Sequence, residues 1–251
     1  GKIPINTRNV LSMVYTPGVG RVSQAIARDT SKVYAFTSKS NSVAVVTDGS
    51  AVLGLGNLGP EAALPVMEGK VMLFKELAGI DAWPLCLNTQ DPDEIVRIVQ
   101  GIAPGFGAIN LEDISAPRCF DIERRLKTSL DIPVMHDDQH GTAVVILAAL
   151  TNALLVTGKR IEDIRVVVNG LGAAGTACCR MLLAAGVAHL LGCDKEGIIL
   201  SGNPEQLRAC RTDLAACLTR ERPTGTLRDA MKSADVFIGL SVGNILTADD
   251  L

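Results

Sequence analysis

Short apolar runs alternate with longer segments of helical periodicity between residues 41 and 158. The apolar runs predict four strands, at residues 42–47, 81–87, 107–111 and 132–135. The segments between and after them predict four helices, at residues 60–77, 91–102, 117–130 and 140–156. Strands and helices that alternate in this way form a parallel sheet with helices on both of its faces. The pattern therefore predicts an α/β domain in this part of the chain.

A second alternation follows Gly158, Lys159 and Arg160, which close the long fourth helix. It predicts strands at residues 165–169, 189–193 and 235–240, and helices at residues 173–185, 204–219 and 226–232. We therefore expect two α/β domains, residues 1–158 and residues 159–251. Each is predicted to be a mostly parallel sheet flanked by helices, and the second to be Rossmann-like.

The segment before residue 41 predicts an amphipathic helix at about residues 22–36. We expect it to form an N-terminal helical arm that packs on the first domain or on a partner subunit. The sequence starts and stops in the middle of its pattern, so we expect it to be part of a longer protein.

Composition supports a folded protein that associates with copies of itself. The length of 251 residues favours two domains of modest size, and 47% hydrophobic residues predict a well-buried core. Only 20% of residues are charged, which favours further burial in an oligomer. The net charge of −3 and the lack of a dense basic patch argue against nucleic acid as a partner.

No apolar run reaches the roughly 20 residues that span a bilayer, and the start carries no signal-peptide pattern. The nearest run, residues 143–156, is interrupted by Thr151 and Asn152 and is interpreted as a buried helix. The seven cysteines are an odd number without C-x-x-C spacing, so we expect reduced core residues in a cytoplasmic protein.

Two pairs of acidic residues follow two of the predicted strands. Glu112 and Asp113 end one apolar run, and Asp137 and Asp138 come after the next. The carboxyl ends of parallel strands meet at one edge of a sheet, and carboxylate oxygens are the ligands that Mg²⁺ and Mn²⁺ prefer. Glu112, Asp113 and Asp138 are therefore predicted to bind a metal ion. Asp48, after the first strand, would lie at the same edge; the alternative is that these carboxylates cap helices.

Residues 170–175 read GLGAAG and lie between a predicted strand and an alanine-rich helix. Such a turn lets the backbone approach a pyrophosphate at the positive end of the helix dipole. Asp194, at the end of the next predicted strand, is placed to bind ribose hydroxyls. The predicted dinucleotide-binding residues are Gly170, Gly172, Ala173, Ala174, Gly175 and Asp194. A second match, residues 54–59, lacks this context and is interpreted as a loop that lines the site of the first domain.

Lys70 lies in a predicted helix, and its neighbours on the same face are apolar: Val66, Met67, Leu73 and Phe74. Burial lowers the pKa of a lysine and can make it a general base. The alternative is a lysine whose stem is buried and whose amine extends to solvent.

Three further residues carry weaker signals. Tyr15 is one of only two tyrosines in the chain. His136 and His140 flank the second acidic pair without the spacing of a zinc site, so they are interpreted as supporting or structural residues.

Taken together, these segments resemble those of malic enzymes of the short bacterial type, in the same order and over nearly the whole chain. The matching segments are VYTPGVG (14–20), TDG (47–49), GLGNLG (54–59), PVMEGK (65–70), NLED (110–113), HDDQHGTA (136–143) and GLGAAG (170–175). The resemblance implies oxidative decarboxylation of malate to pyruvate and carbon dioxide, with reduction of NAD or NADP and with a divalent metal ion.

The resemblance also implies a role for individual residues. Tyr15 matches the general acid, Lys70 the general base and Asp137 the carboxylate beside that lysine. Glu112, Asp113 and Asp138 match the metal ligands, and residues 170–175 with Asp194 match the cofactor site. Residues 1–158 would then form the arm and the substrate- and metal-binding domain. Residues 159–251 would form a dinucleotide-binding domain that is incomplete at its C-terminus.

Two features depart from the family pattern. Larger members carry an arginine in the glycine loop that holds a malate carboxylate, and Ala51 stands at the corresponding position here. Backbone amides near residues 16–19, or Arg21, are candidates to replace it. The asparagine-bearing strand ends that complete the family's pocket would lie beyond the strand predicted at residues 235–240.

Two other functions stay open from the sequence. One is a metal-independent two-domain dehydrogenase, in which the acidic pairs are helix caps. The other is a catalytically impaired module that binds malate or a dinucleotide.

Asp194 favours NAD, although Lys195 beside it leaves NADP as an alternative. We expect a homodimer in which Tyr15 reaches the partner's pocket, with neither nucleic acid nor membrane as a partner.

Overall fold

The computed structural model describes residues 3–199 and 224–250 of the chain. It starts with an arm of three helices, α1 (Arg8–Val14), α2 (Gly18–Arg28) and α3 (Val33–Phe36), none of which contains a buried residue. The expectation of one helix over residues 22–36 is wrong. The Asp29 side chain accepts hydrogen bonds from the Ser31 N–H (3.2 Å) and hydroxyl (2.6 Å), and this local bonding separates α2 from α3.

Four parallel strands form the first sheet: β1 (Ser42–Thr47), β2 (Asp81–Cys86), β3 (Ala108–Leu111) and β4 (Val134–His136). Their order across the sheet is β2-β1-β3-β4. The helices between them are α4 (Pro60–Ala78), α5 (Pro92–Ile102) and α6 (Arg118–Ser129). The α/β architecture predicted for this region is confirmed.

Local signals account for the ends of these helices. Pro60 and Pro92 occupy the first turns of α4 and α5, where the missing N–H has no intrahelical partner to lose. The Asp91 side chain caps α5 by accepting from the Glu94 N–H at 2.9 Å. The core of this part lies between the sheet, α5 and α6, and includes Ile95, Val99, Ile109, Leu111, Ile122 and Leu126.

Helix α7 (Asp137–Thr157) leaves the first sheet and reaches the second. It begins at Asp137 rather than at residue 140, so both acidic residues lie in its first turn. It ends at Gly158, whose φ of 67° is the left-handed conformation that glycine favours at a helix end. Its inner side chains pack in the core of the second sheet: Ile146, Leu147, Leu150 and Leu154.

The second sheet contains β5 (Arg165–Asn169), β6 (His189–Asp194), β7 (Gly197–Ile198) and β8 (Val236–Gly239), in the order β7-β6-β5-β8. Its pairs are parallel except for β6 with β7. Helices α8 (Ala173–Ala184) and α9 (Leu227–Met231) flank it. The helix predicted at residues 204–219 lies outside the described residues, and the domain boundary at residue 158 stays a prediction.

The outward face of α7 is apolar. Val144, Val145, Leu155 and Val156 are exposed, so the expectation that this helix is buried is wrong within this chain. Among the described residues, α7 is long and apolar enough to cross a membrane by length and composition, with a mean hydropathy of 1.7. Its first turn nevertheless carries two aspartates, and its other face packs against α8. The absence of a membrane partner stays a prediction.

Replacing Leu126 with alanine should destabilise the first sheet and its helices. The side chain is fully buried on α6, and truncating a buried leucine costs about 2–5 kcal/mol. The measurement is the free energy of unfolding, obtained from a urea titration that is monitored by circular dichroism. Thr128→Ala, on the exposed face of the same helix, is the control and should stay within about 0.5 kcal/mol of wild type. Equal effects of the two changes would contradict the place of Leu126 in the core.

Candidate active site

Three carboxylates converge at the carboxyl edge of the first sheet. Glu112 and Asp113 follow β3, Asp138 lies in the first turn of α7, and one oxygen of each lies within 4.8 Å of the others. Among the described residues, none donates a hydrogen bond to the buried Oδ2 atom of Asp113. A buried carboxylate oxygen without a donor is costly, and a cation would satisfy it. The three predicted ligands are therefore together, and their all-oxygen chemistry fits Mg²⁺ or Mn²⁺.

Strand pairing fixes the positions of these carboxylates. Leu111 of β3 lies opposite His136 of β4, so both acidic pairs leave the sheet at the same level. The Asp113 N–H donates to Asp138 Oδ2 at 2.9 Å and ties the two strand ends together. Asp113 has a left-handed φ of 54°, which is uncommon outside glycine. Strained residues of this kind cluster at functional sites.

Burial and mutual repulsion raise the pKa values of the three carboxylates in the cluster. Burial, followed by the charge of Glu112, raises the pKa of Asp113 to about 6. Burial, followed by the charge of Asp113, raises the pKa of Asp138 to about 6. Burial also raises the pKa of Glu112, although the Lys70 charge opposes the shift. A bound cation would therefore relieve an electrostatic cost that the cluster carries.

Lys70 reaches this cluster from α4. Its Nζ atom lies 2.7 Å from Asp137 Oδ2 and 3.2 Å from Glu112 Oε1. The lowered pKa that apolar helix neighbours suggest for Lys70 is wrong, whereas Asp137 does lie beside its amine, as the resemblance implies. Burial by itself lowers the pKa of Lys70, but Asp137 and Glu112 outweigh burial and the net shift is upward. Neighbours along a helix predict where the lysine stem lies. The partners of Nζ, Glu112 after β3 and Asp137 in α7, come from other elements.

Asp48, the acidic residue after β1, does not join the cluster. Arg118 Nη2 donates to Asp48 Oδ2 at 3.1 Å, and the Ser50 N–H and hydroxyl donate to Oδ1 at 3.0 and 2.5 Å. The expectation that Asp48 shares the site is wrong, because this ion pair already satisfies its buried charge. The backbone after β1 contacts that of the cluster, since the Ala51 N–H donates to the Asp113 carbonyl at 3.0 Å, and the role of residues 54–59 as a loop that lines the site stays a prediction.

Glu123, a buried carboxylate on α6, is a residue that sequence reasoning missed. It accepts a hydrogen bond from the His136 backbone N–H at 3.0 Å, and His140 Nε2 lies 2.7 Å from the same oxygen. The signal available in the sequence was its spacing, because Glu123 shares a helix face with Cys119 and Leu126. The His136 ring lies on the other side of this contact, with Nε2 3.3 Å from Asp138 Oδ2, and the supporting role of both histidines stays a prediction.

Tyr15 is apart from these groups in the described part of the chain. It follows α1, its side chain is 64% exposed, and the hydrogen bonds described for the cluster and for Lys70 do not include it. The catalytic role that the resemblance implies for Tyr15 stays a prediction.

The glycine-rich turn between β5 and α8 has the predicted geometry. Gly170 has a φ of 99°, and a Cβ on Gly175 would lie 2.0 Å from the Gly170 carbonyl oxygen, so both positions need glycine. A Cβ on Gly172 would meet open space, which leaves the backbone accessible in front of the helix. Ala173 and Ala174 form the first turn of α8. The turn can accept a pyrophosphate at the positive end of this helix.

Asp194 lies beside this turn. It ends β6, and the Gly170 N–H donates to the carbonyl of the preceding residue, Cys193, at 2.9 Å. One oxygen of Asp194 accepts from the Glu196 N–H at 2.9 Å. A carboxylate in this place can accept hydrogen bonds from ribose hydroxyls. The predicted cofactor residues are thus contiguous, while their contacts with a cofactor stay a prediction.

Several known proteins are similar to this chain in both sequence and fold. A model of the malic enzyme N-terminal domain matches residues 2–127. An NAD-dependent malic enzyme of Geobacillus stearothermophilus is 58% identical over 250 residues, which cover 100% of this chain and 52% of that protein. The chain belongs to the malic enzyme family. It spans about half the length of this relative.

Two further malic enzymes agree with this assignment. A bifunctional malic/malolactic enzyme of Bacillus subtilis is 51% identical over 99% of this chain and 60% of that protein. The crystal structure of an NAD-dependent malic enzyme from Thermotoga maritima has a TM-score of 0.95 and 51% identity, over 99% of this chain and 66% of that one. The resemblance to malic enzymes and the α/β fold class are confirmed.

The raised pKa values of Asp113 and Asp138 predict that cation binding strengthens as the pH rises through about 6. An aspartate whose pKa rises from 3.8 to about 6 on folding keeps its proton where the unfolded chain has lost it. The metal-free protein should therefore lose stability as the pH rises through this window. A cation that binds the ionised pair should restore stability above it. In thermal unfolding, excess MnCl₂ should raise Tm more at pH 7 than at pH 5.

Two variants show whether this effect arises at the cluster. Asp138→Asn removes one ligand charge and should abolish most of the rise in Tm with Mn²⁺. Asp121→Asn, on α6 and paired with the exposed Arg124, should respond as wild type does. A rise that is equal at both pH values, or that survives in Asp138→Asn, would show that Mn²⁺ acts elsewhere.

Proposed function

We propose that this protein catalyses the oxidative decarboxylation of L-malate to pyruvate and carbon dioxide, with reduction of NAD or NADP. The observation that carries the proposal is that the Lys70 amine, paired with Asp137 and Glu112, lies beside the carboxylates of Asp113 and Asp138. Membership of the malic enzyme family supports it, as do the names of relatives that are NAD-dependent or NADP-dependent malic enzymes.

The chain's own residues supply the acid–base chemistry. A divalent cation held by Glu112, Asp113 and Asp138 would supply Lewis-acid chemistry at the substrate oxygen. Lys70, once neutral, accepts the proton of the 2-hydroxyl as hydride leaves for the nicotinamide. Asp137, 2.7 Å from Nζ, holds the amine in place and gives its proton a route away from the substrate.

The charge on Lys70 connects the base to the ligands. Asp137 and Glu112 raise the pKa of Lys70, so the amine is protonated before ligands bind. Glu112 cannot attract both a cation and Lys70 at full strength, because the two positive charges repel each other at short range. A cation held by Glu112 would weaken this ion pair and would favour loss of the lysine proton.

The proposal includes a homodimer and Tyr15 as the acid that protonates enolpyruvate at carbon. Tyr15 lies on an arm without buried residues, and its apolar neighbours Leu11, Met13 and Val14 are exposed too. Apolar side chains clustered in this way mark a contact surface. An arm that packs on the partner would bring Tyr15 to the partner's pocket.

NAD is the proposed cofactor, with Mg²⁺ or Mn²⁺ as the metal. The Asp194 carboxylate would repel the 2′-phosphate of NADP, while Lys195 keeps NADP as the alternative.

We also propose a cytoplasmic location. Burial raises the pKa of both Cys179 and Cys193 to about 12, which fits unreactive core thiols in a reducing compartment.

Lys70→Ala should lower kcat by about 10²–10⁴-fold, the range that a general base contributes. Binding of Mn²⁺ should persist, because the ligands stay in place. The measurement is the initial rate of NAD and NADP reduction with L-malate, with and without Mn²⁺, on the full-length protein. Lys75→Ala is the matched control: it lies on the same helix in an exposed pair with Asp81 and should keep the wild-type kcat.

Two results would count against these assignments. If wild type reduces neither cofactor in the presence of malate and Mn²⁺, the proposed function fails. If Lys75→Ala loses as much activity as Lys70→Ala, the effect reflects the helix and not the amine at the cluster.

A further inference from the structure

Glu123 is a charged side chain on the buried face of α6, where the other buried residues are apolar. Its helix neighbours Cys119, Ile122 and Leu126 are buried in the first core, and its own side chain is only 8% exposed. Burial raises the pKa of Glu123, but hydrogen bonds from His140 and other donors outweigh burial and lower it to about 2. The carboxylate therefore stays ionised. Lys127, four residues further along α6, supplies a counter-charge at 2.8 Å from Oε1, and the other donors come from a different element.

Three of the donors described for Glu123 lie where β4 joins α7. The His136 N–H donates to Oε1 at 3.0 Å, and His140 Nε2 lies 2.7 Å from the same oxygen. Gln139 Nε2 lies 3.4 Å from the other oxygen, Oε2. Glu123 thus binds the residue immediately before the acidic pair of α7 and the two residues immediately after it.

The start of α7 depends on contacts from outside the helix. Its N-cap residue is His136, whose side chain makes no capping hydrogen bond. A carboxylate at the amino end of a helix interacts favourably with the helix dipole and with the first N–H groups. The first turn also sets two directions that matter at the site. It points Asp137 at Lys70 Nζ (2.7 Å) and Asp138 at the Asp113 N–H (2.9 Å).

We propose that Glu123 is a positioning residue that fixes the first turn of α7, and with it the directions of Asp137 and Asp138. This inference rests on the proposed function, since it assigns Glu123 to the construction of that site. Glu123 contacts its targets through the backbone and through neighbouring side chains, and it touches no reacting group itself. Groups that hold metal ligands from behind typically change metal affinity by about 10–100-fold when they are altered.

The test is Mn²⁺ binding to the full-length protein without substrate, measured by isothermal titration calorimetry. Glu123→Gln keeps the size of the side chain but turns an NH₂ group towards groups that are themselves donors. It should weaken Mn²⁺ binding by about 10-fold or more and lower kcat, with the circular dichroism spectrum unchanged. Ile122→Val, the adjacent buried residue, lowers stability through packing alone and should leave Mn²⁺ affinity unchanged.

His140→Asn approaches the same contact from α7, and it decides the question if Glu123→Gln does not fold. It removes the 2.7 Å contact while the carboxylate remains, so it should also weaken Mn²⁺ binding. The double variant should bind Mn²⁺ about as tightly as the single variant with the lower Mn²⁺ affinity, because both changes break the same contact.

The outcomes separate this inference from the proposed function. Unchanged Mn²⁺ affinity in folded Glu123→Gln, or in His140→Asn if the first does not fold, overturns the role of Glu123. An equal loss of affinity in Ile122→Val also overturns it, because packing would then be the cause. Asp138→Asn serves as the reference: if it binds Mn²⁺ as wild type does, the metal site and the proposed function fail together with this inference.

Discussion

Charge balance at one edge of the first sheet is the constraint on which the candidate site depends. Among the described residues, four carboxylates and the Lys70 amine meet there. Burial, followed by repulsion between neighbouring carboxylates, raises the pKa values of Asp113 and Asp138 to about 6. Lys70 contacts Asp137 and Glu112, and its charge also lowers the pKa values of Asp113 and Asp138, but by less than burial raises them. A cation at the cluster would relieve the repulsion that remains.

The fold meets this constraint with backbone contacts and with a rigid core. Parallel pairing brings the ends of β3 and β4 to one level, and the Asp113 N–H bridges to Asp138. The loop after β1 holds the Asp113 carbonyl through the Ala51 N–H. Beneath these turns, Ile109 and Leu111 are buried in the first core. Packing of this kind keeps strained and mutually repelling groups in place where isolated turns would relax.

The hydrophobic pattern predicts most of the sheet topology because buried parallel strands are short apolar runs. It finds β1 to β6 and β8 to within one or two residues at their ends. It misses β7, since two residues carry no period. It also misses the break after α2, where the Asp29 side chain hydrogen-bonds with Ser31 and ends the helix. It cannot show that Val144 and Val145 are exposed, because an apolar face looks the same whatever covers it.

The convergence of Glu112, Asp113 and Asp138 is predictable because it follows from a rule of topology: the ends of adjacent parallel strands share an edge. Partners that come from separate elements follow no such rule. Asp48 looks like a member of the same set until Arg118, 70 residues further along the chain, is found to bind it.

Glu123 shows where a sequence can still help in such cases. Glu123 follows apolar residues on one face of α6, and Lys127 lies four residues further on, so the sequence itself indicates an ion pair between them, which the structure shows at 2.8 Å. The sequence does not indicate the further partners of Glu123, and only the packing of α6 against the start of α7 shows that it also contacts the turn that carries Asp137 and Asp138.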